Sequence, residues 1–147
     1  MRPGLVPLLV KQYHETFDQE LLELIARFPA AIAAADADWL LACLEERYWR
    51  MRVVEGLLLN ATAVMASYAD SHPYEFAYAV GRTQSSKYLP TLHELVVQRS
   101  DDLDVLSIAT WAFGKLGDRP GIALMQSIAK RLFEGTPSPL GMKKLSG

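Results

Sequence analysis

Three histidines, His14, His72 and His93, are the side chains in this sequence best suited to transfer protons or bind a metal near neutral pH. No two of them are four residues apart, and none takes part in a Cys/His pattern of the kind that binds zinc. The His93-Glu94 dipeptide lacks the second histidine of the helical zinc-protease motif. The sequence therefore predicts structural or surface histidines and no metal site.

Carboxylates cluster at Asp101, Asp102 and Asp104, which superficially resembles the start of a calcium-binding loop. Such a loop also needs a glycine at its sixth position and a glutamate at its twelfth, and this sequence has neither, so helix capping explains the cluster better. The chain also has no glycine-rich phosphate loop and no nucleophile elbow. We therefore expect a protein without catalytic activity, cofactor or small-molecule substrate, and a free-standing enzyme ranks third among the functions considered.

Basic side chains near predicted helix ends are suited to contact the phosphates of RNA. Two of them flank the turn of one predicted helix pair, two flank the turn of the next pair, and two lie in the C-terminal tail. These candidate RNA-binding residues are Arg82, Lys87, Lys115, Arg119, Lys143 and Lys144. If the helix pairs stack, the first four line one edge. The alternative is that they are solvated cations, which the helix dipole favours near helix C-termini.

The overall composition limits how far an RNA-binding surface can extend. The chain has 147 residues, of which 50% are hydrophobic and 22% charged, so it can form one domain with its own core. Its net charge is -2, whereas proteins that wrap nucleic acid usually carry a basic excess. A second basic group, at Arg47, Arg50 and Arg52, is expected to be partly neutralised by nearby glutamates. The lone Cys43 is predicted to be buried and unreactive.

Helical periodicity extends over residues 13–135, and no stretch alternates with a period of two. We predict an all-α fold, a short α-solenoid of about seven helices. The first helix is expected to begin at a Thr16–Gln19 capping box and to stop before Pro29. The other helices are predicted at about 39–51, 53–68, 73–83, 88–98, 103–117 and 118–135. The third helix in chain order, at about 53–68, is apolar nearly all round and should be the most buried element.

Both ends of the chain are predicted to be irregular. Residues 1–12 are expected to form an extended arm, because two prolines and a glycine disfavour a helix, and their apolar side chains should dock on the body or on a neighbouring subunit. Residues 136–147 are rich in Pro, Gly and Ser and are predicted to form a flexible tail. The longest uncharged run in the middle, residues 56–69, is too short and too polar for a membrane span.

An internal repeat is visible in the second half of the chain. With an offset of 30 residues, the aligned pairs are Phe76 with Leu106, Ala79 with Ala109, Tyr88 with Asp118, Pro90 with Pro120, Leu92 with Ile122 and Leu95 with Met125. A more diverged copy fits with an offset near 35 and aligns Leu41 with Phe76 and Leu57 with Leu92. Two helices per unit with a period of 30 to 40 residues are typical of α-solenoids, and the alternative is a coincidental match between short amphipathic helices.

The segment LSIATWAFGKLGDRP, residues 106–120, carries the clearest pattern: a leucine-rich start, Trp-Ala, a small residue, Lys-Leu-Gly, a basic residue and Pro. It resembles the octotricopeptide and heptatricopeptide repeats of algal and alveolate organelles, which are similar to repeats of the Fas-activated kinase-like mitochondrial proteins. The resemblance is best over residues 103–134 and weaker over 73–100 and 38–69. The RAP domain that often ends members of this family has no counterpart in the sequence. We expect Trp111 to lie in the core.

The resemblance implies a role with organellar RNA, in transcript processing, translation or mitochondrial ribosomes with fragmented rRNA. We accordingly expect a non-catalytic structural or adaptor subunit of an organellar ribonucleoprotein on the matrix side of mitochondria, with a mitochondrial ribosome as the favoured assembly. Its partners would be rRNA and other subunits of the complex. The alternative is a protein-binding accessory subunit of a respiratory or ATP synthase complex, which the acidic net charge and the apolar N-terminal arm favour.

Overall fold

Helices form all the regular secondary structure in the part of the chain that the structure describes. The computed structural model describes residues 4–59 and 67–135, and for these residues the all-α prediction is confirmed. No described helix is long and apolar enough to cross a bilayer. The predicted flexible tail, 136–147, lies outside the described residues. The helices are α1 Leu5–Thr16, α2 Gln19–Ala26, α3 Ala37–Cys43, α4 Arg47–Leu59, α5 Tyr68–Ser71, α6 Pro73–Thr83, α7 Leu89–Gln98, α8 Leu103–Leu116 and α9 Arg119–Gly135.

The N-terminal segment is helical rather than extended. Pro7 is the third residue of α1, where the amide that proline lacks would have no acceptor within the helix. The prediction of an extended arm at residues 1–12 is therefore wrong from Leu5 onwards. Val6 and Tyr13 are buried in the core, so the segment does dock on the body of the protein as its apolar composition indicated.

The junction between α1 and α2 differs from the predicted capping box. Thr16 belongs to the last turn of α1, where its hydroxyl donates to the carbonyl of Gln12. Phe17 then takes a left-handed conformation with φ of 55°. Asp18 caps α2 by accepting a hydrogen bond from the amide of Glu20 at 3.0 Å. The helix starts later than predicted because a carboxylate at position 18 serves as the N-cap.

A buried ion pair sets the boundary between α3 and α4. The sequence pattern predicted one helix through residues 39–51, but the helix breaks at Leu44. The Arg50 guanidinium donates to the carbonyls of Leu44 at 3.0 Å and Glu45 at 2.7 Å, and it pairs with the buried Glu75 of α6 at 2.7 Å. The break is possible because these bonds replace the helical hydrogen bonds that the two carbonyls would otherwise accept.

Residues 53–58 of α4 are all buried, as the apolar sequence of this segment predicted. α4 packs beside α6, and α6 packs beside α8 in a similar way. The diverged repeat with an offset near 35 aligned Leu57 of α4 with Leu92 of α7, and this register is wrong because α4 is the packing counterpart of α6. Residues 60–66, which the prediction assigned to the same helix as α4, lie outside the described residues.

The last four helices follow the predicted segments closely. α6 and α8 begin 30 residues apart, and Pro90 and Pro120 are each the second residue of the helix that follows. Proline is tolerated there because its missing amide would be unpaired in any case. α8 is longer than α6, and a 3-10 turn at Ser86–Tyr88 occupies the corresponding stretch after α6. The helix starts therefore keep the 30-residue spacing although the helix lengths differ.

One continuous apolar core joins the helices from Val6 in α1 to Ile128 in α9. Phe76 of α6 and Phe113 of α8 are its largest fully buried side chains. α8 packs against α6, and α7 contacts both α8 and α9, so the preceding helix pair holds the last one in place. Burial of each of these two phenylalanine side chains contributes about 1.5–3 kcal/mol to folding.

Gly56 permits the close approach of α4 to a 3-10 turn at Pro29–Ala31. A Cβ atom at this position would overlap the backbone carbonyl of Pro29, so we expect Gly56→Ala to lower the free energy of unfolding by roughly 1–3 kcal/mol. The matched control is Gly114→Ala in α8, where a Cβ atom meets nothing within 4 Å and helix propensity should add about 0.5–1 kcal/mol. Urea unfolding compares the two, and equal stabilities would contradict this packing.

The hydroxyl of Tyr68 in α5 donates to the carboxylate of Asp38 in α3 at 3.0 Å. Burial, and then the bond to Asp38, raises the pKa of Tyr68 to about 12. Because folding favours the neutral phenol, the stabilisation should be complete below about pH 10, the unfolded value, and lost as the pH rises through about 12. Urea midpoints should therefore fall less above pH 10 in Tyr68→Phe than in the wild type. Parallel pH profiles would argue against this tether.

Candidate functional site

Four of the predicted RNA-binding residues lie along one edge of the helix stack, around the turns that follow α6 and α8. The side-chain amide of Gln84 donates to the carbonyl of Lys115 at 3.4 Å and joins these two helix ends. The predicted Lys143 and Lys144 lie outside the described residues. We call the four residues at the turns the basic edge, which consists of Arg82, Lys87, Lys115 and Arg119.

The members of the basic edge differ in how far their charge is neutralised. Nε of Arg82 lies 3.7 Å from Oε2 of Glu55, and Nζ of Lys87 lies 5.1 Å from the ring centroid of the adjacent tyrosine. Lys115 and Arg119 are exposed and form no ion pair with any residue that the structure describes. Lys87 likewise forms no ion pair with a described residue, and its ring contact leaves its charge in place, so positive charge without an ion pair lies at both turns.

The second basic group is engaged in ion pairs, partly with residues that are distant in the sequence. Arg47 lies 3.8 Å from Asp104 of α8 and stacks over a tyrosine ring of α6 at 4.0 Å. Arg52 lies 3.9 Å from Glu55 within α4. With Arg50 bound to a glutamate of α6, this group is neutralised mainly across helix interfaces. It contributes less free positive charge than its sequence suggests.

The histidines lie in three separate environments. Nε2 of His93 is 2.6 Å from Oδ2 of Asp118, Nδ1 of His72 is 3.0 Å from the hydroxyl of the preceding serine, and the ring of His14 lies 4.6 Å from that of Trp39. Within residues 4–59 and 67–135, no group of three His, Cys, Asp or Glu side chains is arranged to hold a metal ion. His93 links α7 to the turn between α8 and α9, which is a structural contact.

Cys43 is half-buried rather than fully buried, so this part of the prediction is wrong. It is the last residue of α3, and the hydroxyl of Tyr13 donates to its Sγ at 3.7 Å. This hydrogen bond is the main cause that raises the pKa of Tyr13 above its usual value. The Tyr13 ring also stacks on Trp39 at 5.4 Å. The thiol therefore forms part of the contact between α1 and α3.

Trp111 is 38% exposed and is not the core residue that the sequence predicted. Its ring stacks on Tyr78 of α6 with centroids 5.7 Å apart and planes 7° apart. Gly81 makes room for it, because a Cβ atom there would lie 2.6 Å from Cζ3 of the tryptophan. The residue still fixes α8 against α6, but from the surface of the interface rather than from its centre.

An apolar groove of about 710 Å³ lies between α8 and α9, and all the described residues that line it belong to these two helices. Leu103 is 70% exposed and Phe133 is 83% exposed at one end of this groove. A soluble monomer seldom exposes a large contiguous apolar patch without a functional reason. We call this surface the α8–α9 face. It is lined by Leu103, Leu106, Ser107, Thr110, Ile122, Met125, Gln126, Ile128, Ala129, Leu132 and Phe133.

Six of the corresponding positions in the preceding helix pair are buried. The residues 30 positions before six of the lining residues are Phe76, Ala77, Val80, Leu92, Leu95 and Val96, and all are at most 2% exposed. α8 and α9 pack against α6 and α7, whereas only α8 and α9 themselves line the α8–α9 face. The polar residues Ser107, Thr110 and Gln126 replace Ala77, Val80 and Val96. The α8–α9 face therefore resembles an internal helix interface that is partly polar and that no other helix of residues 4–59 and 67–135 covers.

No protein-family model, curated protein or solved structure matches this chain. Its function is therefore inferred from the geometry of its own residues and from the resemblance of residues 103–134 to organellar helical repeats. The α8–α9 face was not among the sites that sequence reasoning identified. A sequence signal for this face does exist: Ala77, Val80 and Val96 are apolar, whereas Ser107, Thr110 and Gln126, each 30 residues later, are polar.

Asp118 fixes the turn that carries Lys115 and Arg119. Its Oδ2 accepts hydrogen bonds from the amide of Gly121 at 3.1 Å and from His93 at 2.6 Å. We expect Asp118→Ala to lower the free energy of unfolding by about 1–2 kcal/mol, because it removes a helix cap and an interhelical bond. The exposed Asp101→Ala is the control and should change stability by no more than about 0.5 kcal/mol. If urea unfolding gives the two variants the same stability, Asp118 does not fix the turn.

Proposed function

We propose that this chain is a short α-solenoid that acts as a non-catalytic structural or adaptor subunit of an organellar assembly. The single observation that carries this proposal is the uncovered α8–α9 face, with Leu103, Ile122 and Phe133 exposed along it. In the assembly, a neighbouring protein subunit covers this face. Removing apolar surface from water favours the association by about 25 cal/mol per Å², and the loss of translational, rotational and side-chain freedom offsets much of this gain.

The packing order of the helices supports a solenoid. α4, α6 and α8 lie side by side in chain order, and α7 and α9 pack behind α6 and α8. In such a stack each helix pair is stabilised by its neighbours, and the terminal pair needs a polar outer face or a cover. Ser107, Thr110 and Gln126 make the outer face of α8 and α9 only partly polar. The remaining apolar surface is the part available to a partner.

The assembly that we propose is an organellar ribonucleoprotein in the mitochondrial matrix, and a mitochondrial ribosome is the favoured one. The support is the resemblance over residues 103–134 and the exposed positions of Lys115 and Arg119 at the end of the stack. On this proposal the basic edge contacts phosphates of rRNA, and Lys143 and Lys144 extend the contact. Charge at helix ends is well placed for such contacts because it projects beyond the packed helices.

The second candidate is a protein-binding accessory subunit of a respiratory or ATP synthase complex. The observation that favours it is that Arg47, Arg50, Arg52 and Arg82 all lie within ion-pair distance of three carboxylates, with Glu55 shared by Arg52 and Arg82. With a net charge of -2 for the whole chain, little free positive charge remains for a polyanion. Both candidates use the α8–α9 face for protein contacts, and they differ in whether RNA is present.

Density-gradient fractionation of the native assembly, with and without ribonuclease, tests the proposal. The chain should travel with ribosomal particles and shift after nuclease treatment. The double variant Lys115→Glu with Arg119→Glu should leave these particles at lower salt than the wild type, because it replaces phosphate contacts with repulsion. Lys11→Glu with Arg27→Glu is the matched control, since both residues are exposed and the same charge change is made in α1 and at the end of α2, outside the basic edge and the α8–α9 face.

Each other outcome has a definite meaning. Migration in an RNA-free membrane complex, unchanged by nuclease, would exclude the ribonucleoprotein and favour the accessory subunit. Equal salt sensitivity of the two double variants would show that the basic edge does not contact RNA. Recovery of the chain only as a free protein would overturn the adaptor role itself.

A further inference from the structure

We infer that the stacked pair of Trp111 and Tyr78 is a stacking site for an unpaired base of RNA, next to cations that bind the phosphates of the same strand. The inference rests on the RNA contact proposed above and names its ligand as a single-stranded segment. Trp111 does not line the α8–α9 face. The stacking site is therefore separate from the surface that docks a protein subunit.

The two rings of the pair lie parallel, but each covers only part of the other. Their planes are 7° apart and their centroids 5.7 Å apart. Parallel rings in direct contact are separated by about 3.5–4.0 Å, so the longer centroid distance means that the rings are offset. Trp111 is exposed and Tyr78 is half-buried. Another flat ring can therefore extend the stack, and a nucleobase fits because every base has a π-face.

The indole is already held in place without a ligand. Gly81 of α6 leaves room for it, because a Cβ atom there would lie 2.6 Å from Cζ3 of Trp111. Gln84, just after α6, donates to the carbonyl of Lys115 at 3.4 Å and joins the ends of α6 and α8. An ordered side chain loses less conformational freedom on binding than a mobile one. This order favours the stacking of a base.

Each aromatic residue of the pair is followed by a cation one helical turn later. Arg82 comes four residues after Tyr78 in α6, and Lys115 comes four residues after Trp111 in α8. Residues four apart share a helix face and lie about 6 Å apart along the helix axis. Both cations are exposed. A strand whose base stacks on the indole can therefore place its phosphates beside two cations.

Cations outnumber carboxylates around the aromatic pair. Glu55 lies 3.7 Å from Arg82 and 3.9 Å from Arg52, so two guanidinium groups share one carboxylate. Both distances are longer than a hydrogen bond, which leaves Arg82 able to turn toward a phosphate. The lysine of α8 forms no ion pair with a described residue. The next turn adds Asp118 and Arg119, whose charges cancel, so the positive excess remains.

The opposite ends of α6 and α8 have no such excess. There two arginines are paired with carboxylates, Arg47 with Asp104 at 3.8 Å and Arg50 with Glu75 at 2.7 Å. Two further aspartates precede α8. A polyanion is therefore attracted to the C-terminal halves of these helices, where the aromatic pair and the basic edge lie.

A single strand fits this site better than a duplex. Bases inside a duplex are paired and stacked on each other, whereas unpaired bases can stack on aromatic side chains. The small number of cations also limits the contact to a short segment. Each phosphate that a protein neutralises on a single strand contributes about −0.7 to the slope of log affinity against log salt concentration, so three contacts predict a slope of about −2.

Titration of the full-length chain with single-stranded oligouridine tests the inference. Binding should quench the tryptophan fluorescence, because a stacked base contacts the indole. The sequence contains three tryptophans, and the quenching should disappear in Trp111→Phe, which keeps Trp39 and Trp49. A duplex of oligouridine and oligoadenosine should bind more weakly than the single strand.

Two further variants measure the contribution of the ring. Trp111→Leu should weaken oligouridine binding at least about fivefold, because it removes the surface on which the base stacks. Trp111→Phe should bind more tightly than Trp111→Leu, because it keeps an aromatic ring. Tyr48→Leu is the matched control, since it removes an exposed aromatic ring near the start of α4 and should not change binding. Circular dichroism should show that all three variants keep their helices.

The outcomes separate this inference from the proposed RNA contact. Equal affinity for duplex and single strand, or quenching that persists in Trp111→Phe, would overturn the stacking site. If Trp111→Leu binds like the wild type while Lys115→Glu with Arg119→Glu loses binding, the basic edge contacts RNA and only the stacking inference is wrong. If oligouridine does not bind, the stacking inference is wrong, and the gradient experiment decides separately whether the chain belongs to a ribonucleoprotein. If Trp111→Leu then still prevents incorporation into the native assembly, the aromatic pair contacts a protein instead.

Discussion

The buried pair of Arg50 and Glu75 is the contact on which the arrangement of the central helices depends. Glu75 is almost fully buried, and a buried carboxylate without a partner would cost several kcal/mol. The guanidinium that satisfies it also binds the carbonyl of Leu44, so one side chain fixes the break before α4 and the contact between α4 and α6. Gly81 of α6 in turn leaves room for the side chain of Trp111 in α8. The position of α8, and with it the α8–α9 face, follows from this chain of contacts.

Local signals were sufficient to predict the last four helices. Pro90, Pro120 and Gly117 mark helix ends through their own backbone preferences, which depend little on distant residues. The break between α3 and α4 could not be predicted in this way, because it depends on Glu75, 25 residues from Arg50 in the sequence. The N-terminal helix was missed for a different reason. Pro3, Gly4 and Pro7 together predict an extended segment, whereas Pro7 lies in the first turn of α1, where a proline does not interrupt any helical hydrogen bond.

The candidate surfaces were only partly visible in the sequence. Residue type and turn position identified Lys115 and Arg119, which the structure describes as exposed beside one helix turn. The neutralisation of Arg82 by Glu55 and of Arg47 by Asp104 depends on helices that meet only in the fold. The α8–α9 face was harder still to predict, because its exposure depends on which helices pack beside it. A hydrophobic pattern specifies which side chains avoid water but does not specify which element covers them.

The exposed α8–α9 face affects how long an unassembled copy of this protein persists in the cell. A partner that binds only the folded chain stabilises it by mass action, so the folded fraction rises with the concentration of that partner. A surplus copy keeps Leu103 and Phe133 in contact with water and is therefore more open to chaperones and proteases than an assembled one. On the docking role proposed here, the α8–α9 face makes the lifetime of each copy depend on assembly. Unassembled copies are cleared first, which keeps the stoichiometry of the complex balanced.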